Sequence, residues 1–563
     1  MTEKSIAIIG AGPAGLAALY EFLNTSKDGS STLTDASKTY KDFPRPKEAA
    51  FSKIVAFESK DAAGGIWAPA TPEADLPVPP QHLFHKVNDP FVIKPANDLP
   101  ENVEDATLEK PIVVDNGPNY SEEDEEGGAS KPYHGPLINE LEWSRSGIFS
   151  FLFTNIPTRF TRYSYLPNEE KYLDQSRKIY PFLTHQELTK RFADFIKDNE
   201  LDKHIRLNTS VEKVEKHGDK WLVTVRKKQG SQSHWYSESF DHVVVANGHY
   251  TLPYIPSIKG LANYNAKFPN SLSHAKSFRE LEEFKNKRVL VIGGGISTVN
   301  ILQYLVPIAK SVTNSKRGPH AVFPYINDAL VSDEIEPKGT IDHVDPVTGE
   351  FHFTDGSIGQ YDKVIFSTGY HYHFPFFPNQ DHFKLINPGN VSRVGGLYLN
   401  TFDQVDPTLG AVGITVSQLN FHTIEGSAAA LAGVWSGAKS LPPLEEQQAW
   451  EQKLVAERGD SLSFHYYNHH NAKDFIELVL PYFPKGRYNP IEIDGAHVSD
   501  VDEGIKRLEK LFYGLKEGKI GIEETNPSWK GEPKNVDKNA EDEKGSKIAN
   551  VEVNVEEAEL VPI

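Results

Sequence analysis

The sequence predicts an α/β fold of two Rossmann-like dinucleotide-binding domains, the second inserted into a discontinuous first. Three observations predict it. An apolar strand, a glycine turn and a helix open the chain at residues 5–25. The same unit recurs at residues 288–306. With 563 residues, the chain is long enough for two or more hydrophobic cores.

In the first unit the strand Ser5-Ile6-Ala7-Ile8-Ile9 runs into Gly10-Ala11-Gly12-Pro13-Ala14-Gly15. Gly10 makes the tight turn and Gly12 lets backbone approach a pyrophosphate. Gly15 lets helix and strand pack closely. Pro13 and Ala14 open the helix, whose free N–H groups favour an anion. An acidic residue is expected at the end of the next strand, where it binds a ribose hydroxyl. Glu58, after Val55-Ala56-Phe57, is that residue. It lies beyond the usual offset of about 20 residues, and a surface insertion at 26–50 accounts for the excess. Gly64-Gly65-Ile66-Trp67 follows, with Gly65 and Trp67 suited to a flat ring lying against backbone.

The second unit runs from Arg288-Val289-Leu290-Val291-Ile292 into Gly293-Gly294-Gly295-Ile296-Ser297-Thr298. Thr298 stands at the third glycine position. The next strand ends without an acid, at Ser315-Lys316-Arg317-Gly318. Basic residues there favour a ribose 2′-phosphate. One site with an acid and one with bases implies FAD plus NADPH. The strand Val364-Ile365-Phe366 then leads to Ser367-Thr368-Gly369-Tyr370.

Elsewhere, a helix is expected over 185–199, with strands near 205–207, 221–225 and 243–246. Residues 72–135 are rich in Pro, Asp and Glu and read as a long loop, with the acidic run Glu122-Glu123-Asp124-Glu125-Glu126. The expected partition is an FAD-binding domain at 1–253, an NADPH-binding domain at 254–375, a second FAD-binding segment at 376–526 and a disordered tail at 527–563.

Composition narrows the function. Lys and Arg number 59 against 78 Asp and Glu, a net charge of −19 that argues against nucleic acid. The absence of cysteine removes disulfides, thiolate metal sites and dithiol redox chemistry. No metal site is expected, and the tract Phe464-His465-Tyr466-Tyr467-Asn468-His469-His470 reads as a polar aromatic stretch. No run of 18 apolar residues suggests a membrane span. The cytoplasm, or the cytosolic face of the endoplasmic reticulum, is the expected compartment.

In the order and spacing of these blocks, residues 5 to about 445 resemble the flavin-containing monooxygenase family, in the manner of a fungal member. The family motif F-x-G-x-x-x-H-x-x-x-F/Y stands here as Phe268 to Phe278, with His274 and with Asn270 in place of the glycine. Asn tolerates the left-handed backbone that such a turn needs. Phe278 is the residue of this family, where related Baeyer–Villiger enzymes carry Trp. Ser367-Thr368-Gly369-Tyr370 resembles the family's A-T-G-Y. Asn155, in Thr154-Asn155-Ile156-Pro157, matches its active-site asparagine. Glu425-Gly426-Ser427 falls where the family has a glutamine near the flavin.

The resemblance implies an NADPH- and O2-using flavin monooxygenase of the N,N-dimethylaniline monooxygenase type. It would oxygenate a small soft nitrogen or sulfur nucleophile by way of a hydroperoxyflavin. It implies Asn155 as the catalytic residue. The implied cofactor-binding set is Gly10, Gly12, Pro13, Ala14, Gly15, Glu58, Gly65, Trp67, Val211, Gly293, Gly295, Ser297, Lys316, Arg317, Thr368 and Gly369. His274 is expected to organise the domain linker. A homodimer is the assembly to test. Baeyer–Villiger oxygenation, N-hydroxylation of amino-acid side chains, and an uncoupled NADPH oxidase or redox-sensing flavoprotein remain as alternatives.

Overall fold

The computed structural model describes residues 4–115, 143–320, 323–378, 381–389 and 393–526. The acidic run 122–126 and the tail 527–563 lie outside the described residues. The first unit begins with β1 (Lys4–Ile9), α1 (Pro13–Leu23) and β2 (Phe51–Phe57), then α2 (His185–Asp198) and β3 (Ile205–Arg206). A meander follows: β4 (Thr209–His217), β5 (Lys220–Gln229), β6 (Gln232–Phe240), leading to β7 (His242–Val245). The second unit contains β8 (Leu272–His274), β9 (Arg288–Ile292), α3 (Ile296–Leu305), β10 (Ser311–Ser315), β11 (Ile335–Lys338) and β12 (Lys363–Phe366). The chain then returns with β13 (Leu397–Tyr398), β14 (Phe402–Asp403), β15 (Leu409–Ala411), α4 (Asn420–Trp435) and α5 (Ser499–Lys516).

The central sheet has the order β13-β14-β15-β7-β1-β2-β3. Strands from both ends of the chain therefore share one sheet, and β15 pairs parallel with β7. The second sheet, β8-β12-β9-β10-β11, is parallel throughout and lies wholly within the interruption. The fold is α/β, with one dinucleotide-type sheet inserted into another. Parallel strands covered on both faces must be apolar on both faces. Ile6 to Ile9, Val243 to Val245 and Val289 to Ile292 are buried without alternation.

Three features differ from the sequence-based expectation. Residues 72–115 are not a loop, because their apolar residues find two different cores. Phe84 and Val87 enter the core of the second unit beside Leu272 and Phe351, while Ile112–Asp115 pairs antiparallel with β6 of the first. The 26–50 insertion is anchored as well: Leu33 and Tyr40 are buried in the first core, and Ser30 bridges to Lys485. Helix α5, expected in the second FAD-binding segment, packs Leu508, Leu511, Phe512 and Leu515 against Ile301, Leu302 and Leu305 of α3. Among the described residues, no helix is long and apolar enough to cross a membrane.

One buried ionic junction joins the parts of the first unit. The Arg487 guanidinium bonds Glu21 of α1 (Nη2 to Oε1, 2.9 Å) and Glu425 of α4, with all three side chains fully buried. Glu425 also accepts from the backbone N–H of Ser164 at 2.7 Å. Removing one partner of a buried ion pair leaves an uncompensated charge. Arg487→Gln is expected to lower stability by about 3–5 kcal/mol, read from the urea midpoint of the holoenzyme; a loss under about 1 kcal/mol would contradict this role.

Candidate functional site

Both glycine turns open into a single cavity of about 1480 Å³. That exceeds the roughly 300–1,000 Å³ of a pocket for one drug-sized ligand. All the sequence-predicted positions line it except Gly15: Asn155, Gly10, Gly12, Pro13, Ala14, Glu58, Gly65, Trp67, Val211, Gly293, Gly295, Ser297, Lys316, Arg317, Thr368 and Gly369. Gly15 instead packs the helix on the strand, since a Cβ there would collide with the Gly10 carbonyl.

Two helix N-termini face this space without a side-chain cap. Gly12 is the N-cap of α1 and Gly295 that of α3. Their free N–H groups and positive dipole ends suit phosphate. Gly12 is forced by a neighbour: a Cβ on it would lie 3.3 Å from the Gly65 Cα. Gly65, with φ +63°, faces Gly12 in turn. The Gly64-Gly65 pair thus lets a second loop touch the first turn, and Gly64 donates to the Ala11 carbonyl at 2.9 Å. A Cβ on Gly295 meets nothing within 4 Å, so that glycine leaves space for a ligand.

The two turns are built to one register. Gly10 N–H donates to the Phe57 carbonyl and Gly293 N–H to the Ser315 carbonyl, each at 2.8 Å. Ile9 pairs with Phe57, and Ile292 with Ser315. Glu58 and Lys316, each one residue later, are therefore structural equivalents with opposite charge. Glu58 is buried and accepts from the Ala11 N–H at 2.9 Å and the Lys60 N–H at 3.1 Å. Lys316 is half-buried, and burial lowers its pKa, while Arg317 beside it is exposed. Two residues before Lys316, Asn314 braces the turn, donating to the Val291 and Gly293 carbonyls at 3.0 and 2.8 Å.

The Asn155 amide lines the cavity and makes no hydrogen bond among the described residues. Its neighbour Thr154 is fixed through its N–H to the Leu183 carbonyl at 2.8 Å. Ser427, at the position where the family has a glutamine, does not line the cavity. Glu425 and Ser427 sit inside α4, where Glu425 meets Arg487 and Ser427 accepts from Thr401 at 3.1 Å. Gln418, just before α4, lines the cavity instead. Its Oε1 accepts from the Tyr466 hydroxyl at 3.1 Å, and its buried Nε2 has no partner among the described residues. A buried unpaired donor costs free energy unless a ligand satisfies it. Motif spacing does not reveal Gln418, because its place is set by the turn before α4.

Lys60, Lys94, Glu212 and Arg226 also line the cavity. With Glu58, Lys316 and Arg317 they are its only Asp, Glu, Lys and Arg residues among the described ones. The rest of the wall is neutral, with Trp67, Trp143, Phe149, Tyr250 and Tyr370 among it. Asn270 adopts φ 64°, as its place in the motif requires. His274 accepts the Lys276 N–H at Nδ1, 3.1 Å, so its Nε2–H donates to the Gly369 carbonyl at 3.0 Å. Burial holds its pKa near 3, so it stays neutral and ties β8 to the return crossing. His469 Nε2 contacts Asp502 at 2.9 Å and His470 Nε2 contacts it at 3.5 Å, a cluster outside the lining of the cavity.

The profile of a family described as flavin-binding monooxygenase-like matches residues 137–335. Flavin-containing monooxygenase FMO GS-OX-like 9 of Arabidopsis thaliana is 32% identical over 370 residues, spanning 64% of this chain and 75% of its own. Trimethylamine monooxygenase of Methylocella silvestris is 26% identical over 446 residues, spanning 79% of this chain and 77% of its own. The structure of S-allyl-L-cysteine S-oxygenase from Allium sativum aligns with a TM-score of 0.59 at 22% identity. It covers 92% of this chain and 98% of that one, a likeness of fold.

Replacing Lys316 and Arg317 together with Ala tests the charge inversion. The KM for NADPH is expected to rise about 10- to 100-fold, the scale of losing hydrogen bonds to a charged group. The KM for NADH should stay within about twofold, since it lacks the 2′-phosphate. Equal rises for both would contradict the assignment.

Proposed function

We infer the reaction from kinship and cavity together: the chain belongs to the flavin-containing monooxygenase family, whose members use FAD and NADPH. It is an FAD-dependent, NADPH- and O2-using monooxygenase acting on soft nitrogen or sulfur nucleophiles. The observation that carries the assignment of cofactors to sites is the pairing of Glu58 with Lys316 at one register position. FAD takes the site of Gly10, Gly12, Pro13, Ala14, Glu58, Gly65, Trp67 and Val211. NADPH takes the site of Gly293, Gly295, Ser297, Lys316 and Arg317, with Thr368 and Gly369 at the crossing. The corresponding domains are 1–253 with 376–526 for FAD, and 254–375 for NADPH, with α5 crossing onto the latter.

When bound, the two cofactors supply hydride transfer and the activation of dioxygen. The residues of the chain do the rest. The N-termini of α1 and α3 hold pyrophosphate, and Glu58 accepts from a ribose hydroxyl. Lys316 and Arg317 hold a 2′-phosphate. The neutral wall keeps water and protons away from the reacting atoms. Asn155 offers both an N–H donor and a carbonyl acceptor that do not titrate, so it can position the reacting groups without supplying a proton. Gln418 offers a second such donor.

Asn155→Ala is expected to uncouple the reaction. NADPH oxidation should persist, because the nucleotide sites are intact. Oxygenated product should fall about 10- to 100-fold, roughly 1.4–2.7 kcal/mol of lost preorganised donation, with hydrogen peroxide rising in its place. Product and peroxide measured against NADPH consumed, with N,N-dimethylaniline and methyl phenyl sulfide as probes, decide this. Unchanged coupling would make Asn155 a turn residue only.

A further inference from the structure

Residues 72–115 span both units. At their start, the His274 N–H donates to the Pro77 carbonyl at 2.7 Å, and the Ser277 hydroxyl donates to the Asp75 and Leu76 carbonyls, each 3.0 Å away. Gln81 Nε2 donates to the Ala262 carbonyl at 2.9 Å. At their end, Ile112–Asp115 belongs to the meander of the first unit. The segment is a strap across the seam between the two nucleotide sites.

Its strongest point is an ion pair between Asp75 and Lys276, with side chains 0% and 1% exposed. The pair also holds a third element. Lys276 Nζ donates to the Trp143 carbonyl at 3.0 Å, and Asp75 Oδ1 accepts from the Arg145 N–H at 3.2 Å. Beside it, Arg279 donates to the Ser146 carbonyl at 2.5 Å, and the Ser146 hydroxyl donates to the Ile66 carbonyl at 2.8 Å. Trp143 is buried with φ 53°, a left-handed conformation that a bulky residue keeps only when its surroundings enforce it. Trp143, Ser144, Gly147, Ile148 and Phe149 all line the cavity.

We propose that Asp75 and Lys276 are positioning residues, which hold the Trp143–Phe149 segment as a wall closing the cavity at the seam between the two nucleotide sites. This rests on the monooxygenase reading above. A buried ion pair with directional bonds specifies an arrangement where apolar packing alone would tolerate several. Neither residue lines the cavity; the pair acts through the wall, whose closure keeps water from the reacting atoms.

Asp75→Asn in the flavin-loaded enzyme tests this. Hydrogen exchange should quicken in 143–149, while the KM for NADPH stays within about twofold. The peroxide released per NADPH, with methyl phenyl sulfide present, should rise about threefold or more. A lower melting temperature with unchanged peroxide yield and unchanged exchange would overturn the proposal. Should Asp75→Asn fail to retain flavin, the double variant Asp75→Leu with Lys276→Met removes the charges and the bonds while keeping the seam apolar. The same two readouts then apply, and loss of flavin there too would show a folding role and overturn positioning. The exchange readout needs no substrate. A parent enzyme that oxygenates neither methyl phenyl sulfide nor N,N-dimethylaniline therefore overturns the functional reading, while exchange still decides whether the pair holds the wall.

Discussion

Everything at this site depends on how closely backbone can approach backbone at two glycine turns. Each turn is fixed to the neighbouring parallel strand by one hydrogen bond, Gly10 to Phe57 and Gly293 to Ser315. That bond sets which residue stands at the lip of the turn. At one lip it is Glu58, at the other Lys316. One architecture used twice therefore gives two turns whose lips carry side chains of opposite charge. The helix dipoles add the same attraction for phosphate in both.

Besides Glu58, Lys316 and Arg317, the charged side chains lining the cavity among the described residues are Lys60, Lys94, Glu212 and Arg226. Neutral amides and aromatic rings dominate there. In a low-dielectric space, fixed dipoles act strongly and need no reorganisation. A titrating group would bring a proton with it. His274 shows the same economy: fully bonded and held neutral, it joins the two units and takes no part as an acid.

Local features were legible in the sequence and distant ones were not. The glycine turns, Glu58, Lys316 and the left-handed Asn270 follow from rules that act within a few residues. The interruption of the first sheet was legible too, because each βαβ unit announces itself. The strap was not, since its Pro- and acid-rich composition hides Phe84, Val87 and Ile112, whose burial depends on surfaces far away in the chain. Gln418 was missed for a related reason. Family spacing places a glutamine at Ser427, and in this chain Glu425 bonds Arg487 while Ser427 bonds Thr401 inside α4. The expected partition places residues 499–516 in the second FAD-binding segment by chain position, whereas the apolar face of α5 packs on α3.

The central claim is that FAD and NADPH occupy the first and second turns respectively. Gly295→Val tests it most directly. A Cβ at that position meets no heavy atom within 4 Å, and the backbone there is extended at φ −100°, so the substitution is directed at a ligand. The purified variant should keep its full flavin absorbance while its affinity for NADPH, measured by titration, falls by about 10-fold or more, the effect of about 1.4 kcal/mol. A colourless variant, or one that binds NADPH as the parent does, would contradict the assignment of the two turns.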